Sequence, residues 1–182
     1  MVELQIFPET CLRETCSPVE NFDEALHLLL NQMKAIMYAE KGIGLAANQV
    51  GITQNIFLAD VSPMFKDEHI EDYGPPTEWD RKYIEFINPK ITHKEGLITW
   101  NEGCLSLPTI FYDVDRAKHI TIRAQDRTGS PFEVDASNIL SVCCQHEYDH
   151  LFGNIFLDYV SPMKRKTALS KLKKIKKARQ DK

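Results

Sequence analysis

Between residues 21 and 40 the apolar positions fall at Leu26, Leu29, Leu30, Met33, Ile36 and Met37, a spacing of threes and fours that gathers them into one stripe. That spacing predicts an amphipathic helix, with Asn21 or Asp23 capping its start and Gly42 suited to its end. The period then changes. Residues 52–61 (ITQNIFLADV), 83–92 (YIEFINPKIT), 118–125 (KHITIRAQ) and 131–135 (PFEVD) read as strands, the last two joined by the turn DRTGS. Residues 62–82 hold three prolines, a glycine and many acids, which suits a long surface loop rather than a domain linker. A helix is expected from Ser137 or Asn138 to about Leu151, and a lysine-rich one from Asp158 or Ser161 onward.

One helix, then strands, then helices predicts a single α+β domain: an N-terminal helix, antiparallel strands around a central helix, and a basic C-terminal helix. Its 182 residues are enough for one domain with a real core and short for two. No apolar run approaches the ~20 residues that span a bilayer, and the opening MVELQIFPETCLRE lacks the apolar core of a signal peptide. A cytoplasmic protein is the simplest expectation, with neither membrane nor DNA as a partner.

Charge is uneven. Residues 164–182 carry ten Lys or Arg and one acid, a net of +9 against −4 for the whole chain, so residues 1–163 carry −13. We therefore divide the domain into a body, 1–163, and a basic helical tail, 164–182, suited to an anionic partner. The five cysteines (Cys11, Cys16, Cys104, Cys143 and Cys144) are an odd number, and a cytosolic chain of this size needs no disulfide frame. Most suit small buried positions.

Chemistry concentrates in QHEYDHLFG, residues 145–153. On a helix, His146 and His150 share a face and can hold one metal ion. Two histidines do not complete a catalytic site, and the metzincin pattern needs a third three residues after the glycine. Phe156 stands there instead. Upstream, NEGCLSLP offers Cys104, whose thiolate with the two histidines makes three protein ligands and leaves one position open. An open position is what metal-assisted hydrolysis needs, because a coordinated water loses its proton near neutral pH. A third stretch, EKGIGLAANQV at 40–50, follows the first helix and carries Gln49 among small residues.

Together GIGLAANQ (42–49), EGCLS (102–106) and QHEYDHLFG (145–153) resemble, in order, the three motifs of the peptide deformylases, and the resemblance covers nearly the whole chain. It implies a catalytic domain that removes the formyl group from the N-terminal formyl-methionine of new proteins. Cys104, His146 and His150 would be the metal ligands, and Glu147 the general base and then the proton donor. The Gln49 side-chain amide and the Leu105 backbone N–H would receive the oxyanion. The resemblance implies Fe²⁺, whereas the ligand set alone suggests Zn²⁺; Ni²⁺ and Co²⁺ are further substitutes.

On the same basis Ile43, Val142 and Cys143 are expected to wall a slot for the methionine side chain, and the peptide to pair with backbone near Gly44 and Gly103. Glu102, Arg116 and Asp149 are expected to steady the ligands from behind. The tail is expected to meet the ribosome near the nascent-chain exit. Two features depart from the family pattern. TIFYDVD supplies no basic residue between EGCLS and Arg116, and the 62–82 loop is long and acidic. The competing readings are a metallopeptidase of another type, which leaves two of the three motifs unexplained, and a non-catalytic metal- or ribosome-binding relative, against which Glu147 and Gln49 speak.

Overall fold

The computed structural model describes residues 2–65 and 77–180, with side chains of the last helix through Ile175. Its helices are α1 (Glu24–Ala39), α2 (Asn138–His150) and α3 (Pro162–Gln180). Its strands are β1 (Gly44–Ala46), β2 (Ile56–Ala59), β3 (Ile84–Glu95), β4 (Ile98–Cys104), β5 (Leu107–Arg116), β6 (His119–Gln125) and β7 (Pro131–Ser137). All pairings are antiparallel, in a five-stranded sheet of order β1-β2-β3-β6-β7 and a separate β4–β5 ribbon. The α+β expectation therefore describes the architecture.

Strand β2 explains the layering. Its side chains alternate between faces and all four are buried. Ile56 and Leu58 pack with Leu26, Leu30, Met33 and Met37 of α1. Phe57 and Ala59 pack on the other face with Ile139, Leu140, Cys143 and Cys144 of α2. A strand sandwiched between two helices reads as a continuous apolar run, which is how IFLA appears. The third cluster lies under the ribbon, where Leu107, Ile110 and Val114 meet Ile155, Phe156 and Leu157 and the α3 residues Ala168 and Leu172.

Helix α1 begins as expected, with Asp23 accepting from the Leu26 N–H at 3.1 Å. Its end differs. Lys41, not Gly42, takes the left-handed conformation (φ 57°), and the Gly42 N–H closes the helix onto the Met37 carbonyl. The glycine serves contact instead, because a Cβ on Gly42 would meet Leu105 Cδ1 at 2.7 Å.

Other bounds differ from the expectation as well. The strand expected over 52–61 is confined to Ile56–Ala59, and strands β1, β4 and β5 were not anticipated. Of the loop expected over 62–82, Ser62–Phe65 forms a short 3-10 turn, and 66–76 lie outside the described residues. The basic helix packs on the body. Ala168 and Leu172 are 1% and 2% exposed, and Lys171 Nζ donates to the Thr109 carbonyl at 2.8 Å.

Candidate metal centre

The site forms where α2 passes between the two sheets. Gln145 locks the helix in place: its Nε2 donates to the Ala117 carbonyl at 2.8 Å and its Oε1 accepts from the Ala117 N–H at 3.1 Å. Asn48 Nδ2 donates to the His150 carbonyl at the other end. Neither partner is near in the sequence: Ala117 is 28 residues from Gln145, and His150 is 102 from Asn48. Held this way, α2 turns His146 and His150 toward the Cys104 end of the ribbon.

Cys104, His146 and His150 each offer a ligand atom, all within 4.8 Å of one another. Cys104 Sγ lies 3.3 Å from His150 Nε2. The His146 Nδ1 is 2.8 Å from Glu102 Oε2, and Glu102 is held down to about 2: burial alone would raise it, but hydrogen bonds from His146 and Arg116 outweigh that. An ionised Glu102 keeps the proton on Nδ1 and leaves Nε2 free as a ligand.

The electrostatics fit a cation. Burial works against charge on His146, yet its hydrogen bonds to Cys104 and Glu102 raise its pKa well above the ordinary value. The two imidazoles and the Cys104 sulfur together offer three donor atoms that could hold a divalent ion here. His150, by contrast, is pushed well below its ordinary value, first by burial and then by His146.

Behind the ligands, Arg116 bonds Glu102 through Nε (2.6 Å) and Nη2 (3.0 Å), and Asp149 through Nη1 (2.5 Å). Arg116 and Glu102 are 6% and 3% exposed. The Tyr159 ring covers the guanidinium at 4.7 Å, a contact that no local signal announced. Replacing Arg116 by Met should leave two carboxylates without their partner. Thermal melts should then show a loss of about 3–5 kcal/mol, and metal titration about 10–100-fold weaker binding. Unchanged metal affinity would contradict this role for Arg116.

Glu147 is 5% exposed, and its Oε2 has no hydrogen-bond partner among the described residues. Burial pushes its pKa up to about 7 against the opposing pull of His146. Gln49 is oriented by its own carbonyl, since Oε1 accepts from the Ala46 N–H at 2.8 Å. Its amide Nε2 is thereby turned toward the site, 3.4 Å from Cys104 Sγ and 3.2 Å from Ser106 Oγ.

A cavity of about 440 Å³ opens over these groups. Ile43, Gly44, Gln49, Gly103, Cys104, Leu105, His146 and Glu147 line it, together with Met64, Pro108, Thr109 and Phe111, which the sequence did not single out. Val142 and Cys143 do not line the open cavity. Both are buried, and Cys143 Sγ reaches the Ile43 carbonyl at 3.3 Å, supporting that wall from behind.

An α+β domain carrying a Cys-His-His cluster at the edge of a cavity, with a carboxylate and an oriented amide beside it, defines a metal-dependent hydrolase. The polypeptide deformylase family model matches residues 1–166, and the chain belongs to that family. It is 39% identical over 175 residues to the peptide deformylase of Alkalilimnicola ehrlichii, covering 96% of this chain and 90% of that protein. It is 40% identical over 173 residues to that of Hydrogenovibrio crunogenus, covering 95% and 94%. A crystal structure of a peptide deformylase from Legionella pneumophila superposes with a TM-score of 0.86 at 36% identity, covering 100% of this chain and 99% of that one. The protein is an enzyme that holds one metal ion and removes the formyl group from the N-terminal methionine of nascent peptides.

Proposed function

We propose that Cys104, His146 and His150 hold the ion, that Glu147 moves the protons, and that Gln49 and the Leu105 N–H receive the oxyanion. The observation that carries this reading is Glu147: a buried carboxylate with a free oxygen, on the cavity wall beside the cluster. When bound, a divalent ion supplies Lewis acidity, acidifying a coordinated water and polarising a carbonyl oxygen. Glu147 takes a proton as water adds to the formyl carbon. The former carbonyl oxygen gains negative charge, which the Gln49 amide and the Leu105 N–H stabilise. Glu147 then returns its proton to the peptide nitrogen as the C–N bond breaks, releasing formate and a free methionine amine.

The substrate fits as an added strand. β1 is the edge of the five-stranded sheet and β4 is an edge of the ribbon, and Gly44 and Gly103 bring both edges to the cavity. A peptide between them pairs with both. Ile43 flanks the methionine side chain, with Val142 and Cys143 as its buried floor. Glu102, Arg116 and Asp149 act by orienting His146 and α2.

We assign Fe²⁺ as the native ion, with Zn²⁺, Ni²⁺ or Co²⁺ able to occupy the same ligands; metal analysis of protein prepared without oxygen tests this. Incubation with formyl-Met-Ala-Ser should release formate and leave Met-Ala-Ser intact. Cleavage at the Met–Ala bond would indicate a peptidase, and no product a binding module. The rate should rise with pH as Glu147 ionises. Burial, offset in part by His146, raises this carboxyl to about 7, and a bound cation lowers it, so the acidic limb of kcat/KM should fall between 4.5 and about 7. A flat profile across that range would remove Glu147 from the proton path.

We further propose that the enzyme works in the cytoplasm, and that the body, 1–163, performs the chemistry while the basic helix, 164–182, docks on the ribosome. Among the described residues no helix is long and apolar enough to cross a membrane. Because Ala168 and Leu172 are part of the core, truncation at 165 would uncover Leu107 and Ile110. The cleaner variant is Lys173→Glu with Lys174→Glu, both exposed. It should weaken ribosome binding, flatten its dependence on salt and leave hydrolysis of short formyl peptides intact. Salt-independent binding in the parent protein would contradict the electrostatic account.

A further inference from the structure

Phe111 is a large apolar side chain 61% exposed to solvent, and it lines the cavity. Its cross-strand partner on β4 is Gly103. A Cβ on that glycine would lie 2.4 Å from Phe111 Cε1 and 2.8 Å from Cδ1, so the ring lies across the β4 backbone at the cavity edge. The next pairs on the same face of the ribbon are polar and satisfied. Asn101 donates to Asp113 at 2.7 Å, and Thr99 to Asp115 at 2.6 Å. Among the paired residues of this face, Thr99, Asn101, Gly103, Phe111, Asp113 and Asp115, Phe111 alone carries a large apolar side chain, and it sits at the cavity mouth.

We propose that Phe111 selects substrates by the residue that follows the methionine, favouring aromatic and branched apolar side chains there. The inference rests on the strand-like placement of the peptide given above. In an extended chain, successive side chains point to opposite faces. With the methionine pointing inward past Ile43, the second side chain points to the outer face of β4, where the Phe111 ring, seated over Gly103, offers a flat apolar surface. Met64 and Pro108 extend that surface. Glu40 and Lys41, which also line the cavity, are adjacent and of opposite sign, which selects little by charge. A purely structural ring would only shield the backbone of its glycine partner. The two roles differ in what they predict.

Formate release is to be measured for formyl-Met-Phe-Ser, formyl-Met-Leu-Ser and formyl-Met-Ala-Ser with the metal-loaded enzyme. The phenylalanine peptide should exceed the alanine peptide in kcat/KM by about tenfold, on the order of one stacked, buried ring. Phe111→Ala should bring that ratio near unity, and Phe111→Tyr should restore it. A ratio that Phe111→Ala leaves unchanged, with only the melting temperature reduced, would overturn the proposal in favour of glycine shielding. An equal loss on all three peptides would overturn it too. Absence of formate from every peptide with the parent enzyme would instead sink the site reading beneath it.

Discussion

Glu147→Gln should lower kcat for formate release by about 10²–10⁴-fold while the enzyme retains its full complement of metal. The amide keeps the volume and planarity of the carboxylate but cannot accept and return a proton. Cys104, His146 and His150, the proposed ligands, are untouched, and Gln145 and Asn48 still anchor α2 to its surroundings. Kinetics and metal content measured on one preparation separate chemistry from binding. Loss of metal in proportion to activity would show that Glu147 is structural. Near-normal turnover would show that another group moves the proton.

The same substitution carries a stability signature whose sign follows from the carboxyl's environment. Burial pushes Glu147 up to about 7 in the metal-free fold, above its ordinary 4.5. The native state then binds this proton more tightly than the unfolded chain, so the metal-free protein loses stability as pH rises from about 4.5 to 7. Glu147→Gln removes that loss. The metal-free variant should melt above the parent at pH 8, and the gap should close as pH falls toward 4.5. A group that costs stability at its working pH is what an enzyme keeps for chemistry rather than for folding.

How much of this was readable in advance depends on how local each signal is. α1 announces itself because its stripe and its Asp23 cap lie within one segment, and β3, β6 and β7 because they alternate over several residues. The fold brings the donor atoms of Cys104, His146 and His150 within 4.8 Å of one another. That they could meet was readable because the two histidines share a helix face and Cys104 sits in its own short motif. The β4–β5 ribbon was not. Its buried positions at Leu107, Ile110 and Val114 break simple alternation, with Thr109 in the left-handed region and the register shifting after Gly103. The anchoring role of Gln145 was not readable either, because its partner Ala117 is 28 residues away and only the folded chain brings them together. The Tyr159 ring over Arg116 and the Lys171 bond to Thr109 are of the same kind. The sequence thus displayed the donor atoms, while the contacts that aim them arise from tertiary packing.

Gly44→Ala should reduce turnover by about 10²-fold, through a contact that touches neither metal nor ligand. A Cβ at Gly44 would lie 2.5 Å from Glu147 Oε1, 2.8 Å from its Cγ and 2.9 Å from Cys143 Sγ. Both neighbours belong to α2, which is packed into the core, so neither can withdraw cheaply. The carboxylate must therefore shift on its own, and a displacement near 1 Å at a reacting group costs about that factor in rate. Gly42→Ala is the control two residues earlier. Its Cβ would meet Leu105 Cδ1 at 2.7 Å, the far end of a flexible side chain that can swing away. Gly42→Ala should cost far less than Gly44→Ala in kcat, and both variants should still bind metal. Equal losses at the two positions would mean that this loop matters for its backbone flexibility. The expected inequality would mean that β1 is held as glycine at one point to let the base reach the cavity.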